Sequence, residues 1–432
     1  MQSAWSMHRL IKPIQCSAVR FFRGGTSRLL DLDLEYYCNP NNREDIEANL
    51  VRRNCEADLE QIYKLWQELK STSDTSVAEP IRHELLRVVG RLPNTTHPDV
   101  LANATNEPVT IEQVNEKPSF DFIPRRFEPL ASKLGTLQSD PNHHVLCGER
   151  AYYLRGDLAM MEQALVNFTM KKLLERGFVP VSVPDILHPS DIEACGMSTT
   201  GQRSQVYKLR THWDTEACLS GTAEMALANM YRDECLDTAQ LPLKFAAASR
   251  CYRAEISTVK TEKGMYRVHQ FTKVEMFALC RPSQSEDLLT KFVSIQRELF
   301  DLLGLHFRIM DMPACDLGRP AYRKFDIEAW MPGHKMYGEI SSASNCTDYQ
   351  GRRIGIKYKT SDGEQQPVHT VNGTACAVPR MLIALCETHQ EQNRVIGIPP
   401  ALRPYMNGKA VLEAPRMERT FRWLPYYYME NR

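Results

Sequence analysis

One segment, CYRAEISTVKTEKGMYRVHQFTKVEMF at 251–277, constrains the fold more than any other. Two β-type runs flank a polar loop, STVKTEKG, that ends in Gly264; this is the pattern of an antiparallel hairpin. Alternation puts Arg253 and Glu255 on one face of the first run. In the second it gathers Arg267, His269, Phe271, Lys273 and Glu275 opposite Val268, Val274 and Met276. A half-exposed sheet also turns charges outward, but Phe271 and Phe277 share this face, so it is not simply solvated. Arginine offers a planar fork to phosphate oxygens, phenylalanine a stacking surface, and a carboxylate accepts hydrogen bonds from an amino group. Such a face suits a nucleotide.

Two further segments supply matching chemistry. TVNGTACAVPRMLIAL places Arg380 at the start of a helix, where phosphates are already favoured. YGEISSASNCTDYQGRR carries Glu339 and Ser342, hard oxygen ligands for a Mg²⁺ that bridges phosphates. Taken alone, Glu339 reads as an edge-strand charge and Arg380 as an exposed helix-start cation.

The rest of the chain organises around this core. With 432 residues it is long enough for a large domain and an appendage. Residues 43–70 predict one helix, with Ile46, Leu50, Leu59, Ile62, Leu65, Trp66 and Leu69 at three- and four-residue steps, and a second helix spans 78–92. Together (31–100) they form a hairpin with arms of about 40 Å and 20 Å at roughly 1.5 Å per residue, or a two-helix cap on the main domain. Residues 93–130, rich in Pro, Asn and Thr, read as linker. A domain over 131–400 follows. Its helix at 157–177 leads into a strand at 179–183, with further strands at 244–252, 265–279, 306–310, 322–330, 336–342 and 352–359, and a last helix at 379–392. Clustered strands with helices at both ends predict an α+β fold, a mostly antiparallel sheet flanked by helices. Residues 401–432 form a loosely patterned, basic and aromatic tail.

Zero formal charge over the chain conceals an asymmetry. Residues 1–30 hold Arg9, Lys12, Arg20, Arg23 and Arg28 and no acid, so the remainder is acidic. An acid-free, Arg-bearing start with scattered apolar residues reads as a mitochondrial targeting peptide, or as a plain basic tail. The 13 cysteines follow no metal spacing, which predicts reduced thiols and neither structural zinc nor a disulfide framework. No stretch approaches the ~18 consecutive apolar residues of a membrane helix.

Ordered together, the R-x-E hairpin with RVHQF-x-K-x-E, GTAE (221–224), FDIEAWMP (325–332), GEISSASNCTDYQ-x-RR (338–353) and NGTACAVPR (372–380) resemble seryl-tRNA synthetase, most closely its mitochondrial branch, over about 120–400. The resemblance implies a class II synthetase fold and a homodimer built on the helix and strand that end at Pro184. It implies that Arg253, beside Ala254, holds the α-phosphate and the serine carboxylate, that Glu255 reads the adenine amino group, and that Phe271 stacks on adenine near Val268. It further implies that Arg380 reaches the γ-phosphate, that Glu339 and Ser342, with Ile340 and Ser341 between them, line the ATP and Mg²⁺ site, and that Thr222, Ala223, Glu224, Glu275 and Thr374 hold L-serine. The implied activity is ATP-dependent attachment of serine to mitochondrial tRNA(Ser), through seryl-adenylate, in the mitochondrial matrix.

One departure stands out. In the family an N-terminal coiled coil reaches the long arm of tRNA(Ser), and the hairpin here is far shorter. Candidate RNA contacts are Arg52, Arg53, Lys64 and Lys70, then Arg82, Arg87 and Arg91, then Arg416, Arg419 and Arg422 in the tail. The same residues also read as solvated charges. Two alternatives follow from the short hairpin: a catalytically inactive paralogue acting as a dimerisation or RNA-binding partner, and a relative that charges a carrier protein.

Overall fold

The computed structural model describes residues 30–138, 150–201, 204–210, 216–255 and 264–414. The targeting-peptide reading and Arg416, Arg419 and Arg422 therefore lie outside the described residues.

After a single helical turn at Leu34–Tyr37 come three helices: α1 (Arg43–Arg52), α2 (Leu59–Ser71) and α3 (Thr75–Val89). The single helix expected over 43–70 is broken. Asn54 takes a left-handed φ of 50°, which ends α1, and the Asp58 side chain accepts from the Gln61 N–H to start α2 anew. Folding back in this way lets Ile46, Leu50, Ile62, Leu85 and Val89 share one small core. The result is a layer of short helices in place of one 40 Å arm.

That layer is fastened to the rest by Arg53, which is only 3% exposed. Its Nη1 donates to Asn94 O (3.1 Å) and Ala321 O (3.0 Å), and its Nη2 to Gly318 O (2.7 Å). Arg53, expected among the RNA contacts, is thus a structural latch: both terminal nitrogens meet backbone carbonyls, which offsets much of the cost of taking the guanidinium from water, although its buried Nε has no partner among the described residues. Among the other candidates, Lys64, Lys70, Arg82 and Arg91 are exposed, and Arg87 pairs with Glu84.

The body is an eight-stranded sheet. In chain order its strands are β1 (Val109–Val114), β2 (Val179–Pro180), β3 (Leu243–Tyr252), β4 (Gln270–Cys280), β5 (Phe307–Asp311), β6 (Arg323–Met331), β7 (Met336–Thr347) and β8 (His369–Ala377). The spatial order is β1-β5-β6-β7-β8-β4-β3-β2. All neighbours are antiparallel except β2 with β3, so the expected α+β architecture holds. Helices α4 (Gly156–Glu175), α6 (Ser285–Leu302) and α8 (Val378–Thr388) close one face with Leu165, Phe168, Phe292, Phe300 and Leu382. On the other face α5 (Ala223–Asn229) packs Leu227 against Phe245, Phe277 and Leu279.

Several boundaries differ from the sequence expectation. The stretch 93–130 is not all linker, because it carries β1, whose residues are mostly exposed at the sheet edge. The strand at 179–183 shortens to two residues. The strand at 352–359 is instead helix α7 (Tyr349–Ile354) and a short strand at Lys357–Lys359. Ile354, Ile356 and Tyr358 are all buried, which mimics β alternation, but Gly355 (φ 80°) turns the chain between them. β8 went unseen in the alternation because Val371, Ala375 and Cys376 are buried in succession at the centre of the sheet. Residues 401–414 are not loose: Leu402, Met406 and Leu412 join the main core, and Lys409 pairs with Asp157 of α4 at 2.8 Å. No helix among the described residues is long and apolar enough to cross a membrane.

Candidate active site

Strand pairing brings the sequence-predicted residues to one place. β4 sits between β3 and β8, and β8 sits beside β7. Residues at the end of the hairpin therefore converge with Glu339 on β7, Thr374 on β8 and Arg380 in the first turn of α8. A cleft with about 610 Å³ of empty space lies over them, lined by Arg253, Glu255, Val268, Phe271, Glu339, Ile340, Ser341, Ser342, Thr374 and Arg380. Lys273, Tyr266 and Arg267 also line it.

At one end the cleft is cationic. The Arg253 guanidinium lies 5.4 Å from the centre of the Phe271 ring, and its buried Nε has no hydrogen-bond partner among the described residues. A buried donor left open in this way marks a place for an anion. The chain next to it is held by its backbone, since Arg253 N–H donates to His269 O at 2.9 Å and Ala254 N–H to Gln205 O at 2.8 Å. Glu255 is reached by Arg267 at 3.4 Å.

Arg380 is fixed on three sides. Its Nη1 donates to Glu339 Oε2 (3.0 Å) and Glu339 O (2.9 Å), and its Nε to Tyr266 O (3.2 Å). Its guanidinium stacks 4.6 Å from the Tyr266 ring, whose hydroxyl accepts from the Glu339 N–H at 3.1 Å. Burial works to raise the Glu339 carboxyl, but Arg380 and then Lys324 overcome it and hold the group below the ordinary carboxylate range. Glu339 and Ser342 both line the cleft and carry oxygens of the hard type that Mg²⁺ takes. Among the described residues no cluster of three or more His, Cys, Asp or Glu forms a cage. Two protein oxygens suit Mg²⁺, which keeps waters and substrate phosphates as its other ligands.

Behind Lys273 and Thr374 lies a denser polar cluster. Glu275, 3% exposed, accepts from Thr222 Oγ1 (3.1 Å) and Thr374 Oγ1 (3.2 Å), and pairs with the Lys273 ammonium. Thr374 is its register partner on β8. Thr222 caps α5, accepting from the Glu224 N–H at 3.3 Å, which sets Ala223 and Glu224 in the first helical turn. Burial, helped by nearby Glu275 and opposed by hydrogen bonding from Gln350, raises the Glu224 carboxyl to about 7. The structure thus brings Arg253, Glu255, Val268, Phe271, Glu339, Ile340, Ser341, Ser342, Thr374 and Arg380 to one cleft, with Thr222, Glu224 and Glu275 in the polar cluster behind it, while Ala223 and Ala254 are not among the lining residues.

Sequence reasoning missed four members. Tyr266 hides in the loop before β4, and its sole signal is adjacency to Arg267. Lys273 shared a strand face with Glu275 yet carried no expected role. Gln350 and Asn372 reach Glu224 from α7 and β8, and no local pattern ties them to GTAE.

Comparison with known proteins agrees with this geometry. The tRNA synthetase class II core domain (G, H, P, S and T) matches residues 207–389. The serine–tRNA ligase of Rubrobacter xylanophilus is 39% identical over 342 residues, 79% of this chain and 79% of the relative. The chain belongs to the serine–tRNA ligase family. The mitochondrial serine–tRNA ligase of Bos taurus is 48% identical over 318 residues, 73% of this chain and 61% of the relative. That of Mus musculus is also 48% identical, and the match covers 63% of it. The chain thus spans somewhat less than two thirds of these mitochondrial members. Among solved structures, the Pyrococcus horikoshii seryl-tRNA synthetase complexed with ATP superposes with a TM-score of 0.79 at 28% identity, covering 89% of this chain and all of the other.

Proposed function

We propose that the protein is a mitochondrial serine–tRNA ligase that activates L-serine with ATP and transfers it to tRNA(Ser). The carrying observation is a cationic, aromatic-lined cleft that abuts a buried hydroxyl-reading cluster of Thr222, Glu275 and Thr374. Kinship with the bovine and murine mitochondrial enzymes supports the compartment, and the matrix is where their tRNA substrates would be met.

In this reading the serine carboxylate, already ionised, attacks the α-phosphorus in line and needs no general base; the bond to the β-phosphate breaks and pyrophosphate leaves, giving seryl-adenylate. Arg253, whose Nε lacks a partner, grips the carboxylate and the α-phosphate as charge builds between them. Phe271 supplies a stacking face for adenine and Glu255 an acceptor for its amino group. Arg380, stiffened by Glu339 and Tyr266, holds the γ-phosphate in a bent triphosphate. Glu339 and Ser342 would hold Mg²⁺, which when bound neutralises phosphate charge. Glu275 and Thr374 take the serine hydroxyl. Alanine leaves these buried groups unpaired and is penalised strongly, whereas threonine must be excluded by shape. The tRNA's terminal ribose hydroxyl then attacks the activated carbonyl, losing its proton as the ester forms and AMP leaves. The exposed edge of β2, with Val179, supports a dimer formed there.

Serine-dependent ATP–pyrophosphate exchange, run against all amino acids, tests the reading, followed by charging of mitochondrial tRNA transcripts. Exchange with serine and not alanine is expected. Loss of ATP binding even with magnesium and serine present would leave an inactive paralogue as the better account. The intact site residues speak against that account.

A further inference from the structure

We propose that Gln350 is a positioning residue that aims the Glu224 carboxylate at the amino group of the amino-acid substrate, with Thr370 fixing the orientation of its amide. The inference rests on the functional reading above and extends its amino-acid site. Gln350 is fully buried. Its Nε2 donates to Glu224 Oε1 at 2.6 Å, and its Oε1 accepts from Thr370 Oγ1 at 2.7 Å. The amide cannot be reversed without setting a carbonyl oxygen against a carboxylate, so Glu224 decides which end faces it, and the Thr370 hydroxyl, donating to the other end, holds the amide in place. Asn372 Nδ2 donates to the same Oε1 at 3.0 Å. One oxygen of Glu224 is therefore filled twice, and Oε2 accepts no hydrogen bond among the described residues.

The surroundings say what completes it. From β4, Lys273 and Glu275 face Glu224; from the end of β3 comes Arg253. From β7 comes Cys346, and from the turn after the helix Pro189–Ala194 comes Cys195, both thiols kept neutral by burial. Lys273 is committed to Glu275, and Arg253 is turned to Phe271. A cation carried by the ligand is the remaining counter-charge, and the α-ammonium of an amino acid supplies it. Gln350 and Asn372 favour the ionised carboxylate by donating to it, against a burial that favours the neutral form.

The test is serine-dependent exchange across pH with purified full-length protein. In the wild type the KM for serine should fall as pH rises through about 7, as Glu224 ionises. Gln350→Met should raise the KM for serine at least about tenfold, the effect of one lost hydrogen bond to a charged group. It should move the pH midpoint upward and leave the KM for ATP and kcat nearly unchanged, the pattern of lost uniform binding. Thr370→Val should act in the same direction but less, and Thr370→Ser should restore wild-type values. Should Gln350→Met fail to fold, Thr370→Val carries the same readouts. An unmoved serine KM and pH midpoint in a folded variant, or equal losses for serine and ATP, overturns the proposal alone. A wild type with no serine-dependent exchange overturns the functional reading and this inference with it.

Discussion

Arg253 and Arg380 do different work although both are arginines facing one cleft. Arg380 is already satisfied by Glu339 and Tyr266, while Arg253 keeps an open donor. Arg253→Ala and Arg380→Ala should each reduce serine-dependent exchange by roughly 10²–10³-fold or more while the protein stays folded by circular dichroism. Retained exchange in both would contradict the site assignment. Glu224 gives a pH prediction with a definite sign. Its folded carboxyl is raised from 4.5 to about 7, so between these values the folded chain holds a proton the unfolded chain has released. Its contribution to stability is full below about 4.5 and is lost as pH climbs through about 7. Denaturant titrations should show that fall, with Glu224→Gln flattening it. Saturating L-serine should offset it, because the ammonium favours the ionised carboxylate. Most single residues of the site were legible in the sequence because they stand in short, ordered motifs. Gln350 was not, since its meaning comes from a strand and helix that meet only after folding.

At the scale of elements, the hairpin and the strands around it were legible because charged and apolar residues alternate there. Where both faces are buried, as in β8, alternation vanishes and so did the expectation; β1 alternates only over Val109–Glu112, within a Pro-, Asn- and Thr-rich stretch that read as linker. Helix α7 shows a third failure, in which one left-handed glycine converts an apparent strand into two pieces. Another constraint joins α8 to the segment before α4. Glu387 is fully buried and accepts from Phe127 N–H (2.9 Å), Gly333 N–H (2.8 Å), His334 N–H (3.1 Å) and His334 Nδ1 (2.6 Å). Beside it, a Cβ on Gly333 would come within 2.2 Å of Arg125 O. Gly333→Ala should therefore cost about 1–3 kcal/mol and Glu387→Ala at least as much, since the latter strands several buried donors. Thermal or denaturant unfolding measures both, and a change below about 0.5 kcal/mol in either would show that the junction yields.

For the molecule as a whole, the sheet architecture followed from the order of elements, but the seat of the N-terminal helices did not. Periodicity shows that a helix has an apolar face and is silent on which neighbour covers it. The latch depends on Arg53 meeting carbonyls from two distant loops, a relation absent from any local window. Arg53→Ala should loosen the layer, raising amide hydrogen exchange across α1–α3 while ATP–pyrophosphate exchange persists. On the proposed function, a fall in tRNA charging alongside would assign these helices to holding the RNA, and unchanged charging would not. Unchanged protection in α1–α3 would show that their small core suffices to seat them.

The same latch has a bearing on how the chain is made. Arg53 and Gly318 are separated by 265 positions, so α1–α3 leave the ribosome well before the loop that the latch closes on. At ~5–20 residues per second that interval is roughly 15–50 s. Until that loop has emerged, α1–α3 have only their own small core to rest on.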